Sequence, residues 1–144
     1  MRVKITMNKK RIILLLVTMA ILLTSCQDNE AGKLDNRVIA FWDFKINKDF
    51  KNAYQFLSTG WKKNESEHEY IQRLMASKVN WLSVKLNEKT CKQKDLCQLK
   101  LDIEYEYSFR GSFGDKIKIQ SSVTENWIMK GNIWYNVPVD KKLR

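Results

Sequence analysis

Apolar residues return at helical spacing from residue 35 onward. Val38, Phe41, Trp42 and Phe44 predict a helix to about Asn47, with Asp35 placed to cap it. Asp49 opens a second helix, in which Phe50, Ala53, Tyr54 and Leu57 fall at i, i+3, i+4 and i+7 and Gly60 ends the run. Ser66-Glu67-His68-Glu69 is a capping box, serine and glutamate three apart, and it opens a third helix whose buried stripe is Tyr70, Ile71, Leu74 and Met75. After Lys78 the period changes from about 3.6 to 2. Leu82, Val84 and Leu86 then alternate with Ser83, Lys85 and Asn87.

The longest alternation runs from Cys97 to Phe109. Leu99, Leu101, Ile103, Tyr105, Tyr107 and Phe109 share one face, and Lys100, Asp102, Glu104 and Glu106 the other. Such a segment is a half-buried antiparallel strand. Gly111-Ser112-Phe113-Gly114 supplies a turn and Lys116-Ile117-Lys118-Ile119 the return. Only an odd-length loop matches the faces, and a three-residue loop pairs Tyr107 with Ile117, Tyr105 with Ile119 and Glu106 with Lys118. The alternation falters near Glu125-Asn126, where a bulge is expected. Trp127-Ile128-Met129, a Lys130-Gly131-Asn132 turn and Ile133 to Val137 complete a further hairpin. The predicted class is α+β: three N-terminal helices followed by a curved antiparallel sheet of about four strands. There is no internal repeat and no low-complexity segment.

Upstream the pattern is of another kind. Residues 1–11 are basic, Ile12 to Leu23 is an unbroken apolar run, and Leu23-Thr24-Ser25-Cys26 follows. A basic start, a short apolar core and small residues before a cut describe a secretory signal, and Met7-Asn8-Lys9-Lys10-Arg11 makes an equally good start. The run is shorter than the roughly 20 residues a bilayer span needs. Leu23-Thr24-Ser25-Cys26 resembles the bacterial lipoprotein lipobox, which implies that Cys26 is lipidated and becomes the mature N-terminus. Two or three acyl chains would anchor the protein stably, since each buried CH₂ contributes roughly 0.8 kcal/mol. Gln27 after the cysteine resembles an outer-membrane sorting signal in a Gram-negative cell. The expected organisation is a signal peptide over 1–25, a lipidated tether over 26–33 and one domain over 34–144.

Charge and cysteine count follow from that division. The chain has 144 residues, 26 Lys+Arg and 16 Asp+Glu, a net +10. Five cations (Arg2, Lys4, Lys9, Lys10, Arg11) and no acid precede Cys26, so the remainder is only +5. All aromatic residues lie in that remainder, which argues against disorder. With Cys26 lipidated, Cys91 and Cys97 are left, and in an oxidising compartment two leftover thiols close one disulfide.

Asp49 to Ser58, together with Glu125-Asn126-Trp127 and Gly131-Asn132-Ile133-Trp134-Tyr135-Asn136-Val137-Pro138, resembles the nuclear transport factor 2-like superfamily, a cone-shaped, cystatin-like α+β fold. The resemblance covers residues 34–139. It implies a curved sheet wrapped around helices, often with a pocket, for which Phe41, Tyr105, Tyr107, Trp127 and Trp134 are the candidate walls. The superfamily includes enzymes, binders and assembly modules, so the fold does not choose among them.

Little of the chain reads as chemistry. His68, the only histidine, sits between two glutamates at a polar helix start, and no Ser/His/Asp or Cys/His set can be assembled around it. Glu65, Glu67 and Glu69 favour a helix N-terminus, with a cation site as the alternative. Asp43, Tyr105 and Tyr107 are the candidates for an acid-base site in a cone, with a polar helix face and core tyrosines as the plainer readings. Asp102, Glu104 and Glu106 read as cross-strand partners of Lys116 and Lys118. The Gly111 and Gly114 pair has no phosphate-loop lysine, and lysines mixed with acids do not make a nucleic-acid surface.

These readings lead to a lipid-anchored envelope protein that acts by protein contact, without catalysis, cofactor or metal, on a monomeric domain. The alternatives are a small apolar ligand binder using the cone and an envelope enzyme. A solvent-open cone lined by paired ionisable groups with displaced pKa values would count against the first.

Overall fold

A computed structural model describes residues 30–108 and 116–139, with side chains from Lys33. The signal, the lipobox with Cys26, Phe109 and the Gly111–Gly114 turn lie outside the described residues. Among the described residues, no helix is long and apolar enough to cross a membrane.

Helix α1 spans Glu30–Ile46 and starts before Asp35. Asp35 is therefore not its cap but an interior residue, ion-paired at 2.6 Å with Lys89 of the sheet. The helix ends in a Schellman closure: Lys48 adopts φ 60°, and the Asp49 amide donates to Phe44 O at 2.8 Å. Helix α2 (Phe50–Gln55) is capped by the Asp49 carboxylate as expected, at 3.2 Å from Asn52 N. It stops before Gly60, which lies instead inside a short helix α3 (Thr59–Lys62). What ends α2 is sheet pairing. Asn136 N donates to Phe56 O and Ser58 N to Asn136 O, both at 2.8 Å, so the chain leaves the helix to bridge the last strand. Helix α4 (Glu67–Ala76) has both halves of its capping box. Tyr70 and Leu74 are buried, whereas Met75 points outward at 67 % exposure.

Four strands follow: β1 (Val79–Gln93), β2 (Leu96–Ser108), β3 (Lys116–Lys130) and β4 (Ile133–Val137). They form an antiparallel meander in the order β1-β2-β3-β4. The expected β2/β3 register is present, with Tyr107 opposite Ile117, Tyr105 opposite Ile119 and Glu106 opposite Lys118. Gly131 and Asn132, at φ 57° and 61°, make the tight β3–β4 turn, where both central residues need positive φ.

Two details differ from the pattern reading. No bulge interrupts β3 near Glu125: Leu99 faces Glu125 and Cys97 faces Trp127 in unbroken register. Register shifts fall in β1 instead, between Trp81/Ser83, Leu86/Glu88 and Cys91/Gln93. The first leaves Leu82 as the extra residue, so Trp81 shares the inner face with Val84 and Leu86. Bulges increase local bend and twist, and on an edge strand they also discourage pairing with other chains.

The inner sheet face and α1 build the core. Leu34, Val38, Leu57, Leu99, Leu101 and Trp127 are completely buried, with Phe41 edge-on to Trp127 at 5.8 Å between centroids. Cys91 and Cys97 are directly opposed on β1 and β2 and form a disulfide.

Candidate functional site

Below α1 and α4 the inner face is not filled. A cavity of about 780 Å³ opens there, walled by Phe41, Trp42 and Lys45 of α1, Tyr70, Arg73 and Leu74 of α4, Trp81 and Ile103 of the sheet, and Val123 to Glu125 of β3. The segment from Asn136 to Val139 closes one side. This is the hollow of the cone.

Helical spacing explains why a lysine stands in it. Val38, Phe41 and Trp42 form the buried stripe of α1, and Lys45 occupies the next position on that stripe, one turn on. Its ammonium lies 3.4 Å from the ring centroid of Trp42, 4.8 Å from that of Trp81 and 5.2 Å from that of Phe41. Such a cage favours the cation through the ring faces, but withdrawal from water opposes it. Burial, with a smaller push from Arg73, brings the Lys45 pKa down to about 8 against the pull of Glu125.

Strand alternation explains Glu125 in the same way. Val123, Glu125, Trp127 and Met129 all lie on the inner side of β3, so Glu125 occupies a core position. Its Oε2 accepts from Trp127 Nε1 at 3.0 Å. Burial raises its pKa despite opposing pulls from Lys45, Trp127 and Trp42. Trp42 Nε1 is near enough to act on that carboxyl, yet it is out of water with no completed hydrogen bond. The Tyr70 phenol is pushed up by burial. Arg73, exposed at the mouth, is clamped by Glu65 through Nε at 2.6 Å and Nη2 at 3.0 Å. A cation and a carboxyl, both displaced toward neutrality, thus face one apolar, solvent-open space.

The residues expected to line a pocket divide. Phe41 is in the wall. Trp127 and Trp134 are 0 % and 3 % exposed and sit in the core. Tyr105 is half-buried against the core and Tyr107 half-buried toward the far end of β2, and neither is in the wall of this cavity. Asp43 and His68 are exposed. Glu65 binds Arg73 and Trp61 Nε1, Glu67 accepts from Gln55, and Glu69 closes the capping box. Lys45 and Glu125 were missed as site residues. The signal for both was a charge at a position that periodicity reserves for the core.

No family model matches the chain, and no curated protein matches it. Solved structures do. A SEC-C motif containing protein from Rhodopseudomonas palustris aligns with TM-score 0.50 and 11 % identity, over 69 % of this chain and 73 % of that one. A provisionally assigned dehydratase of the nuclear transport factor 2-like family from Streptomyces avermitilis aligns with TM-score 0.54 and 9 % identity, over 76 % and 92 %. At these identities the likeness is one of fold. The chain has a nuclear transport factor 2-like fold, with the helices mostly N-terminal to an open four-stranded antiparallel sheet.

Proposed function

We propose that the chain is a lipid-anchored cell-envelope protein whose cone binds a small, largely apolar molecule. The observation that carries the binding role is the open cavity of about 780 Å³ with aromatic walls and a few convergent polar groups. The anchor rests on the Leu23-Thr24-Ser25-Cys26 motif. Contact with another envelope protein, the role expected from the sequence, has less to stand on. Among the described residues, the large exposed apolar side chains Ile39, Met75, Ile117, Ile133 and Val139 come from five different segments. Native mass spectrometry of the chain taken from its own envelope should show a bound species of defined mass. Leu74→Trp, which sets an indole into the cavity wall, should reduce its occupancy. Bare protein in both forms would overturn the reading.

One observation favours a second reading, catalysis. Lys45 and Glu125 share a cavity and are both displaced toward neutral forms, the arrangement named above as counting against a non-catalytic protein. Elimination of water, the activity provisionally assigned to the Streptomyces protein, needs an acid and a base in such a space. A turnover assay with the bound species decides this: Glu125→Gln should keep binding and lose turnover if the pair moves protons.

A further inference from the structure

The charged groups in the cone wall are not evenly balanced: two cations, Lys45 and Arg73, face one acid. Lys45 offers an ammonium among the rings of Trp42, Trp81 and Phe41. Trp42 Nε1, on a side chain only 3 % exposed, is a donor without a completed bond. Arg73 adds a guanidinium at the mouth. Against these stands one acid, Glu125, whose Oε2 is already engaged by Trp127 Nε1.

We propose that the cone takes a monoanionic carboxylate with a flat or extended apolar body, the head on Lys45 and the body against Trp42, Trp81, Phe41 and Leu74. This rests on the cone being a binding site and adds the charge and head group of the occupant. A carboxylate accepts from an ammonium and an indole N–H together, and an apolar body seated on the rings would displace water from around both bonds. A phosphate dianion would need more cations than one caged lysine and an arginine already clamped by Glu65. Glu125 is the one acid facing the head group, and burial, which raises its pKa, lessens its opposition to an anion. An acyl-chain acid from the membrane and a planar aromatic acid from solution share this chemistry.

The test uses the full chain in phosphatidylcholine nanodiscs, with pyrenebutyrate and the neutral pyrenebutanol as probes and energy transfer from tryptophan as readout. Probe dissolved in lipid contributes equally to wild type and Lys45→Met, so their difference reads the cone. Pyrenebutyrate should bind at least about tenfold more tightly than the alcohol, the scale of one charged hydrogen bond. Lys45→Met should abolish that preference, and Lys45→Arg, which keeps the charge, should retain it. Displacement by dodecanoate or by naphthoate supports the proposal and tells the two sources apart. Equal binding of acid and alcohol overturns the carboxylate and leaves the cone a binding site. A preference that survives in Lys45→Met overturns the role of Lys45. If neither probe binds, the proposal and the binding role of the cone both fail.

Discussion

Two sets of lysine and glutamate stand on opposite faces of one sheet and behave in opposite ways. On the outer face Lys118 Nζ meets Glu104 Oε1 at 2.9 Å; the glutamate is pulled down by its hydrogen bond to Lys118, and the lysine is pushed up by the same bond. Each partner there stabilises the charge of the other. Inside the cone Lys45 is lowered and Glu125 raised, although each favours the charge of the other. Desolvation outweighs attraction on the inner face and not on the outer one. The same two residue types are therefore solvated partners on one side and a desolvated set, each displaced toward its neutral form, on the other.

The largest effect that tests this contrast is the pH dependence carried by Lys45. Its pKa falls from 10.5 to about 8 on folding, so between these values the unfolded chain holds more protons than the native one. Stability linked to this group is fully present above pH 10.5 and is lost as pH falls toward 8. The full shift corresponds to about 3 kcal/mol, reduced by whatever water reaches the ammonium through the mouth. Glu125, shifted upward, works in the other sense: its stabilisation is full below the ordinary carboxylate pKa and fades as pH rises through its folded value. Urea melts from pH 7.5 to 10.5 should show wild type gaining on Lys45→Met as pH rises. Parallel curves would mean that the lysine titrates as if in water, and the contrast between the faces would collapse.

The comparison also shows what the pattern of the chain could and could not disclose. The strand order and the β2/β3 register were legible because three signals coincided: alternation, turn residues, and the match of Glu106 with Lys118. The site was not, because periodicity locates the core and carries no information on what a charge at a core-face position does. Glu125 looked like a break in the strand and suggested a bulge, although the strand continues unbroken. Lys45 lies in the last turn of α1, where a basic side chain also suits the helix dipole and so gives no sign of burial. Trp81 was hidden for a third reason: the bulge at Leu82 shifts the face by one residue, and nothing in the local composition marks it. Functional residues tend to violate the local rule that finds the fold, and Lys45 and Glu125 are the two charges that violate it inside the cavity wall.

A smaller effect separates the charge of Glu125 from its hydrogen bond. Glu125→Leu strands the Trp127 indole N–H and removes the partner of Lys45, so it should cost about 2 kcal/mol. Glu125→Gln keeps an acceptor for Trp127 and should cost less than half as much. Chemical denaturation at pH 7 of both variants orders them. A leucine variant as stable as wild type would show that the carboxyl contributes nothing to holding the cone.

The smallest effect belongs to the outer face. Glu104 and Lys118 approach closely, but both are solvated, so attraction in high dielectric is offset by the entropy of fixing two long side chains. A double-mutant cycle of Glu104→Gln and Lys118→Met should give denaturation midpoints indistinguishable from wild type in moderate salt, with no coupling between the two sites. The same cycle on Glu125→Gln and Lys45→Met should show clear coupling that salt barely changes, because counter-ions do not enter an aromatic cage. Equal coupling on the two faces would mean that the cavity is as wet as the surface. Lys45 and Glu125 would then be an ordinary surface pair, and the carboxylate preference proposed for the cone would lose its physical basis.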